Sequence, residues 1–279
     1  MTELVFPVAA PRARRGGFAR VVRVELLKLT STRLGYGLLA VVAGLTPVWT
    51  SIAASRAGSG SGGPAPLYTA AGQTTIIAGG VWSMIIAMVL GVTISSGEFR
   101  HHTATNTYLA VPDRNRVLAA KAVVGAIGGA VYGIAGFVTA LAVGLSFTAA
   151  HGYRLVISAG TLADWGIGRV VGTALLGVLG VLGVVVGSLV RSQLAGVVGV
   201  FVWALLLESL IGGLFGAVRP YLPYTAATSL AGTPLGEAGF SPASGVAPLP
   251  FAAATALLIA VALAGAGVAA RTTVRRDIT

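Results

Sequence analysis

The residues of this chain that could take part in chemistry are few, and their types favour binding over bond-breaking. Neither of its two lysines, Lys28 and Lys121, follows a glycine, so the phosphate-binding GxxxxGK[ST] loop of many ATPases is absent. The three histidines have no acidic companions at metal-ligand spacing, and the chain contains no cysteine. The sequence therefore predicts a chain that is not an enzyme and binds no metal or cofactor itself.

Composition indicates a membrane protein. Of the 279 residues, 55% are hydrophobic and 10% are charged, with a mean hydropathy of +0.87, whereas a soluble domain carries about 25% charged residues. The net charge of +11 would point a soluble chain toward nucleic acid. Here the basic residues lie in short segments between apolar runs, where they orient membrane proteins. We therefore expect contact with a lipid bilayer and no nucleic-acid partner.

Six apolar runs reach the roughly 20 residues that a membrane-crossing helix needs. They predict a single all-α transmembrane domain over residues 1–279, of which residues 1–17 form a mobile tail. The runs cover about 34–54, 76–96, 118–148, 168–190, 194–216 and 249–270.

The basic residues predict the orientation of these spans. Fifteen of the 19 lysines and arginines fall in the N-terminal segment, between the second and third runs, at Arg191 or in the C-terminal tail, and four fall in the alternate segments. Because cytoplasmic segments are enriched in Lys and Arg, both termini are predicted to be cytoplasmic. The protein itself is predicted to reside in the cell (plasma or inner) membrane. The alternative is five spans, which would place the C-terminal arginines outside.

Glu208 is the single acid inside any predicted span. An intramembrane acid is a functional-site candidate. Its place near the end of the fifth run leaves two other readings open, a solvated carboxylate or one paired with Arg219. The following segment, 217–248, is rich in Pro and Gly and is predicted to be extracellular, with 226–235 able to dip into the bilayer.

Residues 18–33 predict a helix at the cytoplasmic surface. At about 100° per residue, an apolar stripe faces one side, with Arg20 and Arg23 opposite and Glu25 on its edge. Two readings remain open: an interfacial helix that only anchors the first span, or a docking helix whose Glu25 and Lys28 face a partner. The stripe consists of Phe18, Val22, Leu26 and Leu29.

A polar segment, 97–117, separates the second and third runs and carries charges of both signs. Charges are costly at the centre of a bilayer, so this segment is predicted to lie outside the hydrocarbon core. Proline disfavours helix at the residue before it. A short helix over about 99–110, ending before Pro112, is therefore favoured over a plain loop.

Glycines recur four residues apart within two of the runs. This GxxxG spacing lets helix backbones approach closely, and it favours packing within the chain over contact between subunits. The residues are Gly125, Gly129 and Gly133 in the third run, and Gly183 and Gly187 in the fourth.

Two of these segments resemble the permease subunits of ABC-2 type transporters. VRVELLKLTSTR, at 22–33, is similar to the family's charged N-terminal helix. GEFRHHTATNTYLAVPDRNRVLAAK, at 97–121, is similar to the family's cytoplasmic segment after the second span, with His102 where many relatives have glycine.

The resemblance implies the permease of an ATP-driven exporter. A separate cytoplasmic ATP-binding subunit, carrying ATP and Mg, would dock beneath it, and a second permease, identical or homologous, would complete the path. Glu25 and Lys28 would lie on one docking helix. The coupling segment would contribute Glu98, Arg100, Thr103, Thr107, Leu109, Pro112 and Arg114.

Two other classes remain open at the level of sequence. A stand-alone secondary transporter or channel would work without nucleotide, although coupling-ion sites often use intramembrane ionisable residues, which are scarce here. A non-transporting membrane anchor would recruit a partner without moving any cargo.

Overall fold

The computed structural model describes residues 17–58, 65–77, 81–100, 107, 109, 111–156, 171–172, 174–231 and 247–272. Every regular element within these ranges is helical. In chain order the main helices are α1 (Phe18–Ser31), α2 (Arg33–Ser55), α3 (Ala70–Ile77), α4 (Val81–Arg100), α5 (Arg114–Ala150), α6 (Gly177–Val190), α7 (Gln193–Leu214), α8 (Pro223–Ala231) and α9 (Phe251–Thr272).

Five of these helices are long and apolar enough to cross a membrane: α2, α4 from Trp82 onward, α5, α7 and α9. They coincide with five of the six predicted runs and are consistent with a multi-pass membrane protein. The second run was predicted from 76, but Ile76 belongs to the separate helix α3. The fourth run, 168–190, is described only in part, because 157–170 lie outside the described residues. Its continuous helix α6 has 14 residues, fewer than a membrane crossing needs. Six spans therefore stay a prediction.

The centre of the bundle is built around α6, whose glycines bring its backbone against α4 and α5. A methyl group added at Gly180 would overlap the carbonyl oxygen of Gly125 on α5. One added at Gly183 would overlap the carbonyl oxygen of Met88 on α4. No side chain fits at such distances, so these contacts require glycine.

The glycines predicted to mediate helix packing lie in contacts of this kind. Gly125 and Gly129 approach the backbone of α6, and a Cβ added at Gly187 would lie 2.6 Å from the carbonyl oxygen of Val92 on α4. Gly133 is also buried. Around this centre, α2 packs on α5 and α4, and α9 packs on α6 and α8.

The helix predicted over 18–33 is present as α1. It ends at Ser31, and an extended Thr32 (φ −96°, ψ 141°) separates it from α2. Three residues of the predicted apolar stripe, Val22, Leu26 and Leu29, are half-buried, and Leu29 packs against the core. The inward face also extends beyond the stripe, since the most deeply buried residues are Val21 and Glu25, and Phe18 is 41% exposed. The physical reason is a set of buried ion pairs that turns Glu25 inward.

The polar segment begins as part of α4, whose last turn contains Glu98. Phe99 and Arg100 belong to α4, and the short helix expected over about 99–110 stays a prediction, because 101–106 lie outside the described residues. Further along, the backbone N–H of Val111 donates to the carbonyl oxygen of Thr107 (2.9 Å), so a helical turn precedes Pro112. Thr103 and its neighbours lie outside the described residues.

After α7 the chain folds back into the bundle. A π-helical turn, Val202–Leu207, interrupts α7, and a 3-10 helix, Gly216–Tyr221, leads into α8. Ala226 of α8 is fully buried in the main apolar core. The described part of the segment predicted to be extracellular, 217–231, is therefore packed among helices, and residues 232–246 lie outside the described ranges.

Candidate functional site

Four charged side chains, two acidic and two basic, meet where α1, α4 and α5 come together. This charge cluster consists of Glu25, Lys28, Glu98 and Lys121. The Nζ of Lys28 lies 2.7 Å from Glu25 Oε1 and 2.7 Å from Glu98 Oε1. The Nζ of Lys121 lies 2.8 Å from Glu25 Oε2 and 2.9 Å from Glu98 Oε1. Each lysine thus bridges both carboxylates.

The cluster forms because three helices present charge at the same level of the bundle. Glu25 and Lys28 are three residues apart on α1, a spacing that places both on one face of a helix. Glu98 lies in the last turn of α4 and Lys121 in the second turn of α5. Since one polar segment connects α4 to α5, their adjoining ends lie side by side.

Burial makes the cluster a strong constraint on how these helices pack. The exposed fraction is 3% for Lys121, 4% for Glu25 and 8% for Glu98. A buried ion needs a partner of opposite sign, because its desolvation costs several kcal/mol. Within the cluster the two acids balance the two lysines, and each buried charge contacts two opposite charges.

Lys28 is the member of the cluster that reaches water, with 43% of its side chain exposed. Partial burial alone would lower its pKa, but hydrogen bonds and negative charge from Glu25 and Glu98 outweigh this effect and hold the pKa of Lys28 above its ordinary value of 10.5. Lys28 is therefore charged at neutral pH. The cluster is open to solvent at Lys28 and closed at Lys121.

Two further contacts attach neighbouring backbone and side chains to the cluster. The Thr107 hydroxyl donates to Glu98 Oε1 (3.1 Å), which fastens the polar segment to α4. The Lys121 Nζ also donates to the carbonyl oxygen of Ile94 (3.4 Å). Glu98 Oε1 consequently accepts from three donors.

The turn between α6 and α7 lies beside the end of α4. Arg100 Nη1 donates to Gln193 Oε1 (3.3 Å), and the Arg191 guanidinium carbon lies 5.6 Å from the centre of the Phe99 ring. Arg191 has a φ of 55°, a left-handed conformation uncommon for residues other than glycine. The polar ends of five helices, α1 and α4 to α7, therefore gather at one end of the bundle.

The structure brings together four of the predicted docking and coupling residues. They were expected to face a partner protein, and they contact one another instead. Glu25, Lys28, Glu98 and Thr107 contact one another. The carboxylates of Glu25 and Glu98 point inward, so in this conformation they hold helices together instead of facing a partner. Their predicted effect on a partner would have to pass through the helices that they join.

The remaining predicted coupling residues lie at or near the surface. Leu109 is 76% exposed, Arg100 and Pro112 are exposed, and Arg114 is half-buried. Thr103 lies outside the described residues. Leu109 is thus an exposed leucine at the polar end of the bundle and is accessible to another protein, as is Leu194 of α7, also 76% exposed.

Lys121 is the cluster residue that sequence reasoning did not assign to a site. A signal was present, because a lysine that enters an apolar run must find an acid or reach the interface. Its partner Glu25 lies 96 positions away in the chain, and nothing in the spacing of the sequence links the two.

Glu208 forms a second polar site and accepts four hydrogen bonds. Its Oε1 accepts from the indole N–H of Trp203 (2.7 Å) and the backbone N–H of Tyr224 (2.8 Å). Its Oε2 accepts from the backbone N–H (2.9 Å) and hydroxyl (3.0 Å) of Thr225. Because Glu208 is 3% exposed, the reading as a solvated carboxylate is wrong.

The geometry around Glu208 is that of a helix cap. The π-helical turn of α7 has a five-residue offset, which aligns Trp203 with Glu208. The same carboxylate sits at the first turn of α8, where negative charge is stabilised by free backbone N–H groups and by the helix dipole. With four donors around it, Glu208 joins α7 to α8.

The two polar sites contain no cluster of metal-ligand type. Within the described part of the chain, no group of three or more His, Asp or Glu residues could hold a metal ion. The charge cluster is neutral as a whole and its buried atoms are paired, so it is suited to fixing helices relative to one another.

No protein-family model matches the chain, and no curated protein matches it significantly. A function for this membrane-type helical chain therefore has to be argued from the charge cluster and the exposed residues beside it.

Proposed function

We propose that this chain is the membrane-spanning permease subunit of an ATP-driven exporter of the ABC-2 type. It would form the translocation path with a second permease, identical or homologous. A separate cytoplasmic subunit would bind ATP and Mg and would supply the energy. The cargo is left open, because a path lined mainly by Ala, Val, Leu and Gly suits many apolar compounds.

The charge cluster is the observation that supports this proposal most directly. The two segments that resemble the family, 22–33 and 97–121, are far apart in the chain, and each contributes two members of the cluster. A docking helix and a coupling segment must act on the spans together if a push from a partner is to be transmitted. Buried ion pairs between α1, α4 and α5 meet that requirement.

The arrangement in the membrane belongs to the same proposal. Six spans with both termini in the cytoplasm would place the charge cluster and the α6–α7 turn at the cytoplasmic end of the bundle. The chain would reside in the cell membrane, and the segment 97–117 would act as the coupling element. The excess of basic residues in these segments supports that orientation.

In mechanistic terms, closure of two ATP-binding subunits would push on the exposed part of the coupling element around Leu109. Packed helices switch between discrete arrangements as rigid bodies. Because the charge cluster ties α1 to α4 and α5, the three helices would move as one unit. That movement would switch access to the path from one side of the membrane to the other.

The test is co-purification of the full chain in detergent with a candidate ATP-binding subunit encoded beside it, followed by an ATPase assay. The informative variant is Leu109→Glu, because its side chain is 76% exposed and lies outside the charge cluster. The matched control is Leu155→Glu, a leucine with 58% exposure in the segment after α5, which the proposal places on the opposite side.

We expect wild type and Leu155→Glu to retain the subunit and Leu109→Glu to lose most of it. Failure of the wild-type chain to bind any ATP-binding subunit, together with transport driven by an ion gradient alone, would instead identify a secondary transporter. Binding without any change in ATP hydrolysis across candidate substrates would identify a membrane anchor.

A further inference from the structure

Three described hydroxyl groups are buried without a hydrogen-bond partner, those of Thr46 and Thr50 on the span α2 and that of Ser229 on the short helix α8. Thr46 and Thr50 of α2 are both 0% exposed, and their hydroxyl groups have no hydrogen-bond partner in the described structure. An unpaired hydroxyl in an apolar interior carries a desolvation penalty that pairing would remove. Buried polar groups without partners are uncommon and call for an explanation.

The usual solution is found on several helices of this chain, including the end of α2, where the Ser55 hydroxyl donates to the carbonyl oxygen of Ile52 (2.9 Å). A hydroxyl inside a span commonly donates to a carbonyl oxygen three or four residues earlier on its own helix. Described residues on α4, α5, α6 and α9 do so at 2.6 to 2.9 Å, among them Thr93, Ser96, Thr139, Ser146, Thr148, Ser188, Thr255 and Thr272. Thr46 and Thr50 depart from this pattern.

The two hydroxyls share one face of α2. Thr46 and Thr50 are four residues apart, in line with the buried residues Val42 and Ala54. Near Val42 three helices meet, because a Cβ added at Gly136 of α5 would lie 3.6 Å from Val42 Cγ1 and would also contact a side chain of α4. The unpaired hydroxyls therefore lie on the face that α2 turns toward the interior, not toward lipid.

The same stretch of α2 has a weak point in its backbone. Pro47 lies between the two threonines within the helix. Proline has no N–H to donate and its ring crowds the preceding turn, so helices bend preferentially at such a residue. A bend here would move the face that carries Thr46 and Thr50 relative to α5.

We propose that the Thr46–Thr50 face of α2 lines a water-accessible path in a second conformation of the protein. In the conformation described here the face is closed against α5 and no water reaches it. When α2 separates from α5, water or polar groups of a passing molecule bind the two hydroxyls. The inference rests on the proposed transport function, and it names the surface along which cargo would move.

The test uses single-cysteine variants, because the chain contains no cysteine of its own. Thr46→Cys and Thr50→Cys are expressed in the full chain in membrane vesicles and treated with a membrane-impermeant maleimide. The matched control is Val48→Cys, on the same helix between the two threonines but 57% exposed on the outer face. Maleimides react with the thiolate, which forms in water and is suppressed in apolar surroundings.

We expect both threonine positions to be labelled at least about tenfold faster than Val48→Cys, a ratio that corresponds to about one unit of thiol pKa. Labelling no faster than the control at both positions would overturn the inference. Association with an ATP-binding subunit in the absence of labelling would leave the permease proposal in place and refute the path alone. Labelling without any such association would leave the path in place and refute the ABC assignment.

A second measurement does not depend on the cysteine variants. Thr46→Val with Thr50→Val removes both hydroxyls at nearly constant shape, and the inference predicts an unchanged or higher midpoint of thermal unfolding in detergent. Thr148→Val is the control, since its hydroxyl is paired (2.8 Å) and buried, and it should lower the midpoint. A fall for the double variant equal to that of the control would show that the hydroxyls are bonded in the closed state, contrary to the inference.

Discussion

Because Lys121 lies on the buried side of the charge cluster, the loss in free energy of unfolding on replacing it can be estimated. Lys121→Met keeps the length and packing of the side chain and removes its charge, which leaves Glu25 and Glu98 with Lys28 alone. Loss of one partner from a buried ion pair costs about 3–5 kcal/mol. Because Lys28 still contacts both carboxylates at 2.7 Å, we expect the lower end, about 3 kcal/mol less free energy of unfolding.

Lys28→Met is the matched control, since it removes the other lysine of the same cluster. Its side chain is 43% exposed, and Lys121 would continue to hold both acids. Exposed ion pairs contribute about 0–1 kcal/mol, so we expect a loss near the upper end of that range. Both values can be measured by reversible SDS unfolding in mixed micelles, followed by tryptophan fluorescence.

A compensated variant separates the cost of unpaired charge from the loss of packing. Adding Glu25→Gln and Glu98→Gln to Lys121→Met would leave the cluster with one positive charge, on the exposed Lys28, and with no buried acid. This variant should recover part of the lost free energy, because the largest penalty comes from buried charge without a partner. Equal stabilities for Lys121→Met and Lys28→Met, or no recovery in the compensated variant, would refute the account given for the cluster.

Two further predictions concern helix packing and Glu208. Gly180→Ala should destabilise the bundle by about 1–3 kcal/mol, because the added methyl overlaps the carbonyl oxygen of Gly125. The control, Gly199→Ala, has nothing within 4 Å of its added Cβ and should be neutral or stabilising. SDS unfolding compares the two variants, and equal effects would contradict the close contact between α5 and α6. Glu208→Gln should weaken the attachment of α8 to α7, because the amide of Gln has one acceptor oxygen and the carboxylate of Glu has two. The expected loss of stabilising free energy is about 1–3 kcal/mol, and it can be measured as faster amide hydrogen exchange in α8. Thr225→Val, which removes a single one of the four bonds, should have a smaller effect, and wild-type exchange in Glu208→Gln would show that the cap is dispensable.

The membrane-type architecture could be predicted from the sequence because it depends on local composition. Runs of apolar residues of sufficient length identified α2, α4, α5, α7 and α9 with small errors at their ends. The N-terminal helix α1 could also be predicted, since its periodicity is visible within 14 residues. These features need no knowledge of which helix packs on which.

The parts that could not be predicted depend on contacts between distant residues. The burial of Glu25 on α1 was missed because hydrophobicity alone set the expected stripe, whereas Glu25 is turned inward by Lys121, 96 positions away. Glu208 was expected to be a functional-site acid, a solvated carboxylate or a partner of Arg219. It is buried, and it accepts from the backbone of α8, the Thr225 hydroxyl and an indole N–H aligned by a π-helical turn. Neither arrangement has a signature in residue spacing.

The order of the cluster residues along the chain has a consequence for biosynthesis. Glu25, Lys28 and Glu98 are all translated before Lys121, whose Nζ lies within 3 Å of both acids in the finished protein. Until the start of α5 has emerged from the ribosome, α1 lacks its buried counter-ion and the cluster cannot close. The amino-terminal helix therefore gains its full set of ion pairs only after the first two apolar helices have been synthesised, and a chain stopped before Lys121 would join that helix to α4 through Lys28 alone.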